Sequence, residues 1–124
     1  MKKIKFRGKR IDNGEWVYGW LVVESNGTAW ISKYYHKGEW EQVDPETVGQ
    51  LTGLKDKNDV EIWESDTVLA DGINYEVYQH PSGDWQAGGL SIWEQSGQYS
   101  EENEWEVVGN VFDNPELMEN NYES

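Results

Sequence analysis

This sequence predicts a mainly β protein, and three observations predict it. Runs rich in aromatic and β-branched residues recur along the chain, Gly-containing turn signals separate them at short intervals, and helix-start signals occur only where one or two turns fit. With 124 residues and 36% hydrophobic composition, the chain is long enough for one core or two small ones.

Residues 3–10, KIKFRGKR, alternate charged and apolar side chains up to Gly8, as a half-buried edge strand does when lysines discourage unwanted pairing. Asp12-Asn13-Gly14 is a turn signal, since Asn-Gly tolerates positive φ, and it leads into the strand-forming run Glu15-Trp16-Val17-Tyr18-Gly19-Trp20-Leu21-Val22-Val23. Ser25-Asn26-Gly27 repeats the punctuation before Thr28 to Tyr35, and His36-Lys37-Gly38 repeats it before Glu39 to Val43. The N-terminal half therefore reads as an antiparallel meander. Asp44, Pro45 and Glu46 have the order of an N-cap, a first helical position and a first-turn acid, predicting a short helix near 45–50 that ends at Gly49 or Gly53. Lys55 to Asp59 has turn composition; Val60, Ile62 and Thr67 to Ala70 suit a strand, a tight turn and another strand. Ile73 to Gln79 alternates as a strand, His80 to Asp84 turns it toward Trp85-Gln86-Ala87, and Trp105 to Phe112 is a final strand. Asn114-Pro115-Glu116 repeats the cap-proline-acid order before a short helix near 115–119.

Eight Trp and seven Tyr against two Phe build an unusual core, because these rings bury a large apolar area yet carry an N–H or O–H that wants a partner. Many of them are expected to sit half exposed. Cysteine is absent, so neither disulfides nor thiolate metal sites brace the fold. The basic start has no apolar run of signal-peptide length after it and no segment has the length and apolarity of a membrane span, so a cytoplasmic protein is expected.

Charge is distributed unevenly. Residues 1–59 hold all ten Lys and Arg against nine Asp and Glu, whereas residues 60–124 hold fifteen Asp and Glu and no Lys or Arg. The acidic half is unsuited to nucleic acid, whose phosphates need positive counter-charge, and only residues 2–10 could contact phosphate.

No complete catalytic constellation is visible. The seven carboxylates within residues 43–66 lack the spacing of a calcium loop, and a cation held by Asp56, Asn58 and Glu61 would be repelled by Lys55 and Lys57. Catalysis by Glu61, Glu64 or Asp66 would need a partner across a cleft, and the pairing of His80 with Asp84 lacks a nucleophile motif. His36 reads as an exposed loop histidine. The expectation is a protein without enzymatic activity, cofactor or metal.

The segments Val43-Asp44-Pro45-Glu46-Thr47-Val48-Gly49-Gln50, Thr52-Gly53-Leu54-Lys55-Asp56-Lys57-Asn58, Glu61-Ile62, Val108-Gly109-Asn110-Val111 and Asn114-Pro115-Glu116-Leu117 carry a resemblance. With Lys5-Phe6-Arg7 and Trp16-Val17-Tyr18-Gly19, they make the chain similar to the YopX family of phage and prophage proteins over nearly its whole length. Two positions depart from the pattern. Leu51 stands where the family usually has an aromatic, and Glu64-Ser65-Asp66 stands for Glu-Gly-Asp, so that a positive-φ turn there would carry the cost of a Cβ. The resemblance implies a division into residues 1–59, the meander with its short helix, and residues 60–124, an SH3-like small barrel with a C-terminal short helix. It implies no established activity.

The expected function is that of a phage accessory protein of unknown role that binds protein or assembles with itself as a homo-oligomer, the basic arm of one copy meeting the acidic face of another. A host protein is a further possible partner; nucleic acid and membrane are not expected. Trp16, Trp20, Trp30, Trp85 and Trp93 are the candidate contacts, each of a type equally suited to a core. The alternative is an acidic DNA mimic that antagonises a host nucleic-acid-binding protein, using Glu94, Glu101, Glu102, Glu104 and Glu106.

Overall fold

The computed structural model describes residues 5–34, 38–95 and 103–119. It divides into two units, Met1–Leu51 and Thr52–Ser124.

The first unit contains β1 (Phe6–Lys9), β2 (Trp16–Val23), β3 (Ala29–Ser32), β4 (Glu41–Val43) and the start of β5 (Gly49–Lys55). All are antiparallel, in the order β4-β3-β2-β1-β5. The hairpin loop after β1 closes as its Asn-Gly predicts, with Gly14 at positive φ and the Asn13 side chain accepting the Glu15 N–H at 2.9 Å. Strand pairing does not stop at the meander. The Asp44 N–H donates to the Lys9 carbonyl at 2.8 Å, that of Ile11 donates to the Gln42 carbonyl at 3.1 Å, and Arg10 bridges to Val43. The sheet thus curls until β4 meets the end of β1. Ala29, Ile31 and Val43 are buried inside the curl, with Phe6, Val17, Leu21 and Val48 packed around them. Full burial of side chains such as Ile31 and Val43 contributes about 1.5–3 kcal/mol each.

Between β4 and β5, the helix expected near 45–50 is a single 3-10 turn, Pro45–Thr47. Asp44 caps it, accepting the Glu46 N–H at 3.0 Å, and it ends because Val48 is already extended. The Thr47 hydroxyl ties this turn to the sheet by accepting the Lys9 N–H at 2.9 Å.

In the second unit the end of β5 pairs with β6 (Glu61–Trp63), and the Thr52 hydroxyl donates to the Ile62 carbonyl at 2.7 Å. β7 (Asp66–Ala70), β8 (Ile73–Gln79), β9 (Trp85–Ala87), β10 (Leu90–Ser91) and β11 (Glu106–Asn110) form an antiparallel sheet in the order β10-β9-β8-β7-β11. Ile62, Val68, Val77, Ala87, Ile92 and Trp105 make its core, and Leu54, Tyr75, Trp85 and Val107 pack against it. Two short helices complete the unit: α1 (Ile92–Gln95), which is not among the expected helices although Ser91 and Glu94 have the spacing of a capping box, and α2 (Glu116–Glu119), which lies where a helix is expected.

The mainly β class holds, but the SH3-like barrel expected for residues 60–124 is not closed. β10 and β11 stand at opposite edges of an open sheet, and β10 is only two residues long, offering too few backbone groups to pair further. The units divide after Leu51, whereas the expected division fell after Asp59. Leu54 packs on the second core and Asp56 binds the backbone of β11, so residues 52–59 belong to the second unit. The last strand also stops at Asn110, short of Phe112. The side-chain carbonyl oxygen of Asn110 accepts the N–H groups of Phe112 and Asp113 at 3.0 and 2.9 Å and turns the chain.

Candidate protein-contact face

Alternation along β2 sends Val17 and Leu21 into the first core and leaves Tyr18, Trp20 and Val22 on the outer side, each 40–47% exposed. Gly19, between them, passes so close to β3 that a Cβ would collide with the Ser32 carbonyl oxygen. Register places the cations of β1 beside this row: Lys9 pairs with Trp16 and Arg7 with Tyr18. The Arg7 guanidinium carbon lies 4.5 Å from the centroid of the Trp16 ring, with the Lys9 ammonium 5.5 Å from the same ring and the Lys5 ammonium 5.8 Å from Tyr18. Such pairs are worth about 0.5–1 kcal/mol at exposed sites and about 2 kcal/mol when desolvated; Arg7, 5% exposed, lies at the desolvated end.

Arg10 is used differently. Its guanidinium binds Asp12 at 2.7 Å and Glu41 at 3.2 Å; the hydrogen bond to Asp12 holds the arginine above its ordinary pKa, and the same bond holds the Asp12 carboxyl below its own.

On the next strand, Trp30 stands opposite Val22 and so shares the outer side of the sheet. Its indole N–H donates to Glu24 Oε1 at 2.6 Å. Val22, Glu24, Trp30 and Trp40 line an open groove of about 470 Å³.

Three of the five tryptophans singled out from the sequence, Trp16, Trp20 and Trp30, therefore share one face of the first unit. Trp85 and Trp93 belong to the second unit, where Trp85 packs against the core and Trp93 is 40% exposed. Sequence reasoning did not single out Trp40 and Glu24. The signal that could have found them is alternation, since Trp40 lies two residues before Gln42, the partner of Trp30, and Glu24 closes the hairpin just beyond Val22.

The carboxylates of residues 43–66 that reach the backbone are occupied by it. Asp44 caps the 3-10 turn, Asp66 accepts the Trp63 N–H at 2.7 Å, and both Asp56 oxygens accept N–H groups. The backbone turns at Ser65 with φ = +69° in spite of its Cβ, held by the Ser65 N–H donating to the Val77 carbonyl at 2.8 Å and the Val111 N–H donating to the Ser65 carbonyl at 3.0 Å. His80 and Asp84 do not pair through their side chains: His80 Nδ1 lies 2.9 Å from the Ser82 hydroxyl, while the Asp84 carboxylate accepts from Ser91 and Gln86. Among the described residues, no group of three His, Cys, Asp or Glu is arranged to hold a metal ion, and no helix is long and apolar enough to cross a membrane. His36, Glu101 and Glu102 lie outside the described residues, as does the side chain of Glu94; Glu104 is exposed and Glu106 half-buried.

Fold and face define a small, two-unit, mainly β protein with an aromatic and cationic surface on its first unit. The chain belongs to the YopX protein family, whose profile matches residues 5–119. It is also similar to the crystal structure of protein EF1440 from Enterococcus faecalis, at 22% identity and a TM-score of 0.64, with 95% of this chain and 99% of that one covered. At that identity the likeness is one of fold. No curated protein shows a significant match.

Proposed function

We propose that this protein is a non-enzymatic accessory protein of phage or prophage origin that works in the cytoplasm by binding protein, other copies of itself included, through the outer face of its first unit. One observation carries the reading: Trp20 stands 47% exposed between the exposed Tyr18 and Val22, in a row along which the half-buried Lys5 and Lys9 lie against Tyr18 and Trp16. Trp, Tyr and Arg are the residue types that concentrate binding energy at interfaces, and an exposed apolar row rimmed by charge is the usual mark of a contact surface. The cations favour an acidic partner surface, and residues 60–124 of a second copy, with fifteen acids and no Lys or Arg, have that character.

The test is the mass of the native particle by light scattering at low and high salt, with Trp20→Ser beside the parent chain, together with affinity capture from prophage-bearing cells. A salt-sensitive oligomer or a captured protein lost on Trp20→Ser supports the reading. A strict monomer at both salt concentrations, with capture indifferent to Trp20→Ser, overturns it. Release of a captured protein by duplex DNA would favour phosphate mimicry by the acidic half instead.

A further inference from the structure

We infer that the groove on the outer side of β2 and β3, closed by Trp40, is a receptor for an arginine side chain of a protein partner. Its walls are the Trp30 and Trp40 indoles and Val22, and among the described residues its one ionisable lining group is Glu24. The carboxylate is positioned by the fold. Glu24 closes the hairpin, with its N–H donating to the Thr28 carbonyl at 2.9 Å and its own carbonyl accepting the Gly27 N–H at 2.9 Å. Its Oε1 is anchored by the Trp30 indole N–H at 2.6 Å, whereas Oε2 has no donor among the described residues.

An anchored carboxylate with a free oxygen, at the edge of one indole in an apolar groove lined by two, is complementary to an organic cation. Guanidinium fits it better than ammonium because it is planar, stacks on indoles, sheds water readily and presents several N–H donors to one carboxylate. The charge complementarity is local and opposite in sign to that of the Lys5, Arg7 and Lys9 row, so the groove selects a feature that an all-acidic surface lacks. An arginine set in an otherwise acidic surface of a different protein would satisfy both sites, since residues 60–124 of a second copy hold no Lys or Arg.

The source of the arginine rests on the protein-binding reading; the affinity of the groove does not. The test monitors the indole N–H resonances of Trp30 and Trp40 by NMR during titration with N-acetyl-arginine amide, N-acetyl-lysine amide and N-acetyl-citrulline amide, the last being the neutral isostere of arginine. The expected result is saturable shifts of both resonances with the arginine compound, weaker ones with lysine and none with citrulline. Glu24→Gln weakens the arginine response about fivefold. Equal responses to arginine and citrulline, equal responses to arginine and lysine, or no saturable shift overturn the inference. The comparison among ligands on the parent chain does not depend on the variant folding. A chain that binds arginine here yet captures no partner would keep the groove and refute the binding-module reading, and the reverse pattern would do the opposite.

Discussion

Asp56 Oδ2 accepts the backbone N–H of Val107 at 2.8 Å, across 51 positions of sequence. Its other oxygen takes the N–H groups of Asn58 and Val60 at 2.8 and 2.9 Å, so that one buried carboxylate closes a turn and fastens the last strand. Removing it strands three N–H groups, one of them far away in sequence. Asp56→Ala is expected to lower stability by about 3 kcal/mol, because hydrogen bonds to charged groups are worth about 1.5–3 kcal/mol and abandoned donors add their desolvation cost. Asp56→Asn keeps an accepting oxygen but turns an amide donor toward a donor, and its stability is expected to fall between those of the parent and Asp56→Ala. Urea unfolding would measure both; a loss under about 1 kcal/mol for Asp56→Ala would refute the bracing role.

Ser65 occupies the left-handed region, where its Cβ is strained. Glycine adopts the same φ without that clash, at the cost of a floppier unfolded chain. Ser65→Gly is therefore expected to stabilise the protein by about 0.5–1 kcal/mol, read as a rise in the thermal midpoint. A fall would mean that the two backbone bonds of Ser65 do not define the turn.

Thr67 is fully buried in β7, and its hydroxyl has no hydrogen-bond partner among the described residues. Valine has nearly the same shape without the polar atom, so Thr67→Val is expected to gain about 1 kcal/mol by removing an unsatisfied buried group. Destabilisation in chemical unfolding would show that a bound water satisfies the hydroxyl.

Gly19 carries the aromatic row of β2 past the backbone of β3. A methyl group there meets a carbonyl oxygen fixed in a strand, and no flexible side chain can give way. Gly19→Ala is expected to cost about 3 kcal/mol, or to prevent folding. Circular dichroism on the purified variant, read through its thermal unfolding, is the measurement, and a stability equal to the parent's would show that the close approach of β2 to β3 is not maintained.

Much of the local structure is legible in the sequence because its causes are local. Asn13-Gly14 and Asn26-Gly27 mark the turns they form, Asp44-Pro45 starts the 3-10 turn, and alternation separates Val17 and Leu21 from Tyr18 and Trp20. Three of the five tryptophans singled out do share a face. The features that escape sequence reasoning depend on competition between bonds or on partners distant in the chain. The last strand is shorter than its composition suggests because the Asn110 side chain competes with the ladder, and the dividing point falls earlier than expected because Asp56 takes its partner from β11.

By itself the sequence determined the β class, the order of strands and turns, and the segregation of positive charge into the first half, since each arises from neighbouring residues or from composition. Only the tertiary structure decided that the first sheet curls until β4 meets β1, that the second stays open, and that Glu24 stands with Trp30 and Trp40 around one groove. Those outcomes turn on strand twist and on hydrogen bonds between residues far apart in the chain, whose energies exist only once the backbone has brought the groups together.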